Sequence, residues 1–289
     1  MTARRERIRR WLALAPALLI TGLMFGSSAL YGFGQSLGYL PFIGETRLSL
    51  DAYAYLLGSQ GASGGEFWAA LGFSLWVSAA STLLAACGAL LLAAALGARG
   101  GRAPELLALN AGLALPHLVW AVALLLLLAQ SGLVARVAAA LGLIGAPAEF
   151  PVLVRDRYGL GIILHYVGKE IPFLALIVLA VLRTQGDAYD LVAATLGAGP
   201  WQRLRRVTLP LVLPGLASGA LLVFAYVFSA YEVPALLGVR YPRALAVLAL
   251  DSFLNPDLGR RAEGMAISVI MATVVVGIAG VARALERRG

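Results

Sequence analysis

Asp190-Leu-Val-Ala-Ala-Thr-Leu-Gly197-Ala-Gly-Pro200-Trp201-Gln-Arg203-Leu-Arg205-Arg206-Val-Thr208-Leu209-Pro210 is the stretch on which the reading of this chain turns. It lies between two long apolar runs, is too long for a plain connector, and is basic. Its pattern predicts two short helices about a break. Tyr189, Val192 and Leu196 fall at i, i+3 and i+7, one stripe of a helix. Gly197, Gly199 and Pro200 interrupt that helix, and Pro200 is placed to open the next. Trp201, Leu204 and Thr208 form a second stripe, with Arg203 and Arg206 on the opposite side. An apolar-plus-arginine helix of this kind suits a membrane surface, Trp at headgroup level and cations facing water. The first helix, weakly charged and apolar on one side, is left free to dock into another protein. Gly197 is expected to turn the chain where a side chain would collide or force a strained backbone.

The rest of the composition agrees with a membrane setting. Hydrophobic residues make up 60% of the chain, charged residues 13%, and the mean hydropathy is +0.84. Soluble domains carry about 25% charge, so the chain reads as a polytopic, all-α membrane protein. The net charge of +8 invites a nucleic-acid reading, but its distribution opposes it. Taken together, segments 1–11, 98–105, 184–208 and 285–289 hold 12 basic and 5 acidic residues, whereas 34–69, 131–159 and 232–263 together hold 8 basic and 9 acidic. One-sided excess is the positive-inside pattern and reports topology, with both termini and the 184–208 loop in the cytoplasm. Cys87 is the only cysteine, so no internal disulfide exists, and it is read as a packing residue.

Six stretches are long enough to cross a hydrocarbon core, which takes about 20 helical residues. They run approximately over 12–33, 70–97, 106–130, 160–183, 209–231 and 264–284. The first follows an arginine-rich start and resembles a signal peptide, but its apolar run from Trp11 to Phe33 exceeds a signal core and reads as a retained span. A small amphipathic helix is expected near Leu50 to Leu57, and Ala244 to Leu254 reads as a re-entrant or interfacial helix. With no linker or composition shift, residues 1–289 are expected to form one transmembrane domain.

The opening stretch also carries a family resemblance. Gly197, the thirteen-residue step to Pro210, Trp201 and the Leu209-Pro210 pair resemble the cytoplasmic loop of ATP-binding-cassette importer permeases of type I. In that MetI-like family the loop forms the coupling helix that fits a groove on the ATPase subunit. The resemblance assigns Asp190, Ala193, Ala194, Gly197, Pro200, Trp201, Arg203 and Pro210 to this element. The family usually places Glu, Ala, Ala at the sixth, fifth and fourth positions before the glycine; this chain has Leu191, Val192 and Ala193. His165-Tyr-Val-Gly-Lys169-Glu-Ile-Pro172-Phe173 and Phe228-Ser-Ala-Tyr231-Glu232-Val-Pro234 are similar to segments of the polyamine, ferric-iron, thiamine and aminophosphonate branch. The resemblance implies a permease subunit forming half of a pathway for a small polar solute. It also implies a second permease chain, two ATPase subunits carrying ATP and magnesium, a periplasmic or lipid-anchored solute-binding protein, and a bacterial inner membrane.

The residues themselves show little catalytic equipment. No G-x-x-x-x-G-K-[ST] occurs, so the chain cannot build a P-loop, and Gly97 to Gly101 reads as a turn between helices. His117 and His165 read as polar residues satisfied within a bundle, His117 beside a backbone kink at Pro116. The charges in and beside spans are more informative, because each costs a few kcal/mol at mid-bilayer unless paired or wet. Lys169 and Glu170 point about 100° apart on the fourth span, which fits one toward the solute route and one toward a neighbouring helix, or a structural or snorkelling ion pair at the interface. Tyr231 and Glu232 at the end of the fifth span fit an outer gate or a contact with a cationic group, or a helix end beside a proline turn; a carboxylate there opposes the helix dipole, which argues weakly for a partner. An ion-coupled secondary transporter would need mid-membrane carboxylates, and the acids cluster at span ends. A membrane enzyme would need convergent polar groups, and Lys169, Glu170 and Glu232 are dispersed.

Overall fold

The computed structural model describes residues 2–58, 62–96 and 103–286. Among these the fold is helical, with six helices long and apolar enough to cross a membrane: Trp11–Ser36, Gly64–Leu96, His117–Ala140, Leu160–Thr184, Pro200–Ser229 and Leu258–Ala284. The 97–102 turn with Arg99 and Arg102, and Arg287 and Arg288 at the far end, lie outside the described residues. The chain divides into two compact units, residues 1–65 with 249–270, and residues 66–248 with 271–289.

In the first unit α1 (Thr2–Ser36) turns its apolar side chains outward from Trp11 to Phe33, as a bilayer or a partner requires. A tight turn over Pro41–Ile43 follows, and α2 (Asp51–Leu57) returns to α1 through a Tyr53 hydroxyl that donates to Ser36 Oγ at 2.9 Å. The Arg261 guanidinium lies over the rings of Phe42 and Phe253 at 5.1 and 5.2 Å.

The second unit is organised round one helix. It comprises α3 (Ala62–Leu96, from Glu66 onward), α4 (Ala103–Ala114), α5 (His117–Leu128), α6 (Leu133–Ala140), α7 (Leu160–Val181), α8 (Asp187–Thr195), α9 (Pro200–Arg203), α10 (Leu209–Ser229) and α11 (Glu232–Leu237). Its core gathers Phe73 and Val77 of α3, Ile162, Tyr166, Leu174 and Val178 of α7, and Val212, Leu216, Val223 and Val227 of α10. The fourth span is 56% buried, the others a third or less, so α7 is the central element. Asp156 fixes where α7 begins: its buried carboxylate accepts from the N–H groups of Tyr158 at 2.8 Å and Gly161 at 3.4 Å, at the end of the helix that favours negative charge. Two helices bridge the units: α12 (Leu245–Phe253), whose Leu245 N–H donates to Ser74 Oγ at 2.7 Å, and α13 (Arg261–Glu286).

Three points differ from the sequence reading. The stretch 106–130 is not one helix, because Pro116 has no N–H and its ring excludes the carbonyl four residues back. The helix stops at Ala114, and α4 at 12 residues is only about 18 Å long, too short to cross. The crossing candidate is His117–Ala140 instead. The fifth span begins early. Pro200 to Ser229 is continuous, so the arginine-rich stripe extends the span and is not a separate surface helix. A π-helical turn, Leu204–Thr208, joins the parts, and the Leu209 N–H reaches back to the Leu204 carbonyl. That wider turn precedes Pro210, whose ring cannot sit in a regular helical interior. Third, the fifth span ends at Ser229, and Glu232 opens α11. Cys87, read as a packing residue, is exposed on α3.

Within the first unit α13 approaches α12 at Gly264. A Cβ there would stand 2.6 Å from the Ala249 carbonyl oxygen and 2.8 Å from the Phe253 nitrogen, both backbone atoms that cannot move aside cheaply. Gly264→Ala is therefore expected to cost about 1–3 kcal/mol as an overpacked contact, read as a lower detergent unfolding temperature. Gly280→Ala on the same helix, where a Cβ meets nothing within 4 Å, is the matched control and should leave that temperature unchanged.

Candidate functional site

The break at Leu115–Pro116 creates the first of two candidate sites. Breaking a helix exposes carbonyls that have lost their donors. Gly112 and Leu115 are two of these, and the ammonium of Lys169 donates to both, at 2.9 and 2.6 Å. Lys169 is 5% exposed, so the two charge-assisted bonds form away from water. The sequence reading sent one of Lys169 and Glu170 to a neighbouring helix; that residue is Lys169, and the neighbour is the broken end of α4.

Glu170 faces elsewhere. It is 8% exposed and sits eleven residues into α7, so it departs from the expectation that the acids cluster at span ends. Its carboxylate lies 3.9 Å from His117 Nε2, beyond hydrogen-bond distance. The other nitrogen of His117, Nδ1, is 3.3 Å from His165 Nε2. Tyr226 of α10 stands with its ring centroid 5.0 Å from that of His117, and Tyr166 packs edge-on to His165 at 4.9 Å. These helices line an open cavity of about 270 Å³ formed by Leu113, His117, Lys169, Glu170, Phe173, Leu222, Val223 and Tyr226. Among the described residues the Tyr166 hydroxyl and His165 Nδ1 find no hydrogen-bond partner, although both are buried.

Both histidines and the two tyrosines escaped the sequence reading as site residues. A signal for part of the group existed: Tyr166, Lys169, Glu170 and Phe173 are spaced i, i+3, i+4 and i+7, one face of α7. His117 also directly follows the proline that makes the break. Nothing in the sequence brings Tyr226 to that face. Tyr231 and Glu232, by contrast, do not line the cavity. Both are exposed, and Glu232 stands in the first turn of α11, where a carboxylate is favoured by the dipole. The argument for a compensating partner therefore falls away.

The second candidate site is the loop quoted at the outset. Its backbone forms α8 and closes in a Schellman motif: the Ala198 N–H donates to the Ala193 carbonyl and the Gly197 N–H to the Ala194 carbonyl, each at 3.0 Å. Gly197 has φ +81°, a left-handed conformation natural to glycine, and a Cβ there would meet nothing within 4 Å. Backbone conformation alone, not collision, calls for glycine. Pro200 occupies the first turn of α9, and Gly199 N–H is held by Gln202 Oε1 at 3.3 Å. The side chain of Asp190 lies outside the described residues. The expected apolar stripe is present and open: Tyr189, Val192 and Leu196 are exposed, Leu196 at 81%, and Trp201 is 70% exposed.

Comparison with known proteins agrees with this geometry. Residues 91–288 match the family described as the inner membrane component of binding-protein-dependent transport systems. The chain belongs to this family. It is 30% identical over 205 residues to the inner membrane ABC transporter permease protein YnjC of Escherichia coli, covering 68% of this chain and 38% of YnjC. It is 31% identical over 170 residues to the molybdenum transport system permease protein ModB of Mycobacterium bovis, covering 57% of this chain and 60% of ModB. The chain thus spans well under two thirds of the length of either relative. A chain of a bacterial ABC transporter involved in import of the polysaccharide alginate superposes over all of this chain and 99% of its own, with a TM-score of 0.77 at 20% identity, and so shares its fold.

Removing the Lys169 ammonium should leave the Gly112 and Leu115 carbonyls unpaired. Hydrogen bonds to a charged group contribute about 1.5–3 kcal/mol each. Lys169→Met is therefore expected to lower the detergent unfolding temperature by several degrees, and Lys169→Arg to lower it less. Equal stability of Lys169→Met and the parent protein would show that the broken helix end does not need its cation.

Proposed function

We propose that this chain is the transmembrane permease subunit of an ATP-driven, binding-protein-dependent importer of a small polar solute. The observation that carries the proposal is α8: a short helix with an open apolar stripe, closed by the left-handed Gly197 and tied at both ends to membrane-crossing helices. Among the described residues one face of this element is exposed, and the element lies in the chain directly between two spans. It therefore suits the transmission of movement between an ATPase and the membrane. In this reading Asp190, Ala193, Ala194, Gly197, Pro200, Trp201, Arg203 and Pro210 form the coupling element. ATP and magnesium are held by the partner ATPase, and this chain catalyses nothing. A second permease chain completes the pathway, two ATPase subunits dock below, and a solute-binding protein delivers from above. Lys169 and Glu170 belong to the pathway, and Tyr231 and Glu232 to its outer end.

Because Gly197 is left-handed in open space, its replacement acts through the backbone. A side chain in that conformation costs about 1–2 kcal/mol, so Gly197→Leu and Gly197→Ala should both disturb the loop, and Gly197→Asn should be the mildest. The expected result is normal permease abundance in the membrane, loss of co-purifying ATPase or of its stimulation by loaded binding protein, and no uptake for Gly197→Leu. Retained ATPase binding together with stimulated hydrolysis would overturn the assignment of α8 as the coupling helix.

Arginine asymmetry places the 184–208 loop and both termini in the cytoplasm. In a chain with Cys87 replaced, Asp257→Cys should react with an impermeant thiol reagent applied to intact cells, and Arg203→Cys should react only after permeabilisation. The reverse pattern would invert the topology.

A further inference from the structure

The Lys169–Glu170 cavity contains two charges of opposite sign, and neither is fully used by the protein. An ammonium has three N–H donors, and Lys169 commits two of them to Gly112 and Leu115. Among the described residues Glu170 accepts no hydrogen bond: its side chain is about nine-tenths buried, it lines the cavity, and its nearest basic group on another helix is His117 Nε2 at 3.9 Å. A buried carboxylate without a donor is costly unless something pairs with it. We infer that the cavity is a solute subsite for a small zwitterion, an ammonium group meeting Glu170 and an acidic group meeting the remaining N–H of Lys169.

The electrostatics select this class over the two simpler ones. An oxyanion entering alone would be drawn to Lys169 but would face the Glu170 carboxylate in the same space of about 270 Å³. A simple polycation would be drawn to Glu170 but repelled by the lysine. A molecule carrying both charges satisfies both walls and remains neutral in a low-dielectric surrounding, where net charge is most expensive. The aromatic rings of the lining residues Tyr226 and Phe173 suit the ammonium end, since a cation is attracted to an aromatic face. The volume limits the solute to a compact molecule. The inference rests on the importer reading only for the direction in which the solute passes; binding itself needs no ATPase.

The test is equilibrium dialysis of the full chain in lipid nanodiscs against labelled 2-aminoethylphosphonate, putrescine and molybdate as zwitterion, dication and dianion. Saturable binding of 2-aminoethylphosphonate is expected, with putrescine and molybdate at least tenfold weaker. Glu170→Gln should weaken the zwitterion at least tenfold. Leu222→Trp, which adds bulk at a lining position on α10 and removes neither charge, should abolish binding and keeps the test decisive if Glu170→Gln folds poorly. Absence of saturable zwitterion binding, equal binding of putrescine or molybdate, or full binding by Leu222→Trp would overturn the inference. ATP-driven uptake by the assembled complex is measured separately. If uptake persists without zwitterion binding, the subsite fails and the importer reading stands. If binding is seen while no ATPase couples to the chain, the importer reading fails and the subsite stands.

Discussion

The bond pair from Lys169 to the Gly112 and Leu115 carbonyls is the constraint on which the membrane site depends. A proline inside an apolar stretch leaves backbone oxygens that a bilayer cannot solvate. A lysine inside a helix leaves a cation that a bilayer cannot solvate either. Each defect satisfies the other. Because both partners are buried and the hydrogen bonds are charge-assisted, the broken end of α4 is held against α7 at a defined height. His117, the first residue of α5, is thereby brought to the His165–Glu170 face of α7.

That placement also sets the character of the cavity. Lys169 and Glu170 are consecutive, so committing the lysine to α4 turns the glutamate by about 100°. It then faces His117 and the ring of Tyr226 and not the broken helix. The central position of α7 makes this possible, since more than half of it is covered by protein. On a peripheral helix the same pair would lie toward lipid or water.

In the loop between the fourth and fifth spans the governing quantity is backbone conformation. Gly197 closes α8 in a left-handed turn with open space around it. The helix therefore ends where the glycine is, independently of what packs nearby. The wide turn before Pro210 carries the chain from α9 into α10 without a break in the helix.

Hydropathy and arginine asymmetry were enough to indicate a helical membrane chain with six spans, because a bilayer imposes a length and a polarity on each helix that composition records directly. The helix break at Gly197 and the restart at Pro200 were legible for a similar reason: a stripe, a glycine and a proline are local signals. Small helices at Asp51–Leu57 and Leu245–Phe253 stand where amphipathic runs had suggested them. The cavity was not legible. His117, His165 and Tyr226 come from three helices far apart in the chain, and no local pattern states which helix faces which. The third and fifth spans were misplaced because hydropathy averages across a proline, whereas the proline decides where a helix stops or widens. Sequence alone determined which segments enter the membrane; only tertiary packing decided which of their few polar groups meet, because that depends on how neighbouring helices are rotated about their axes.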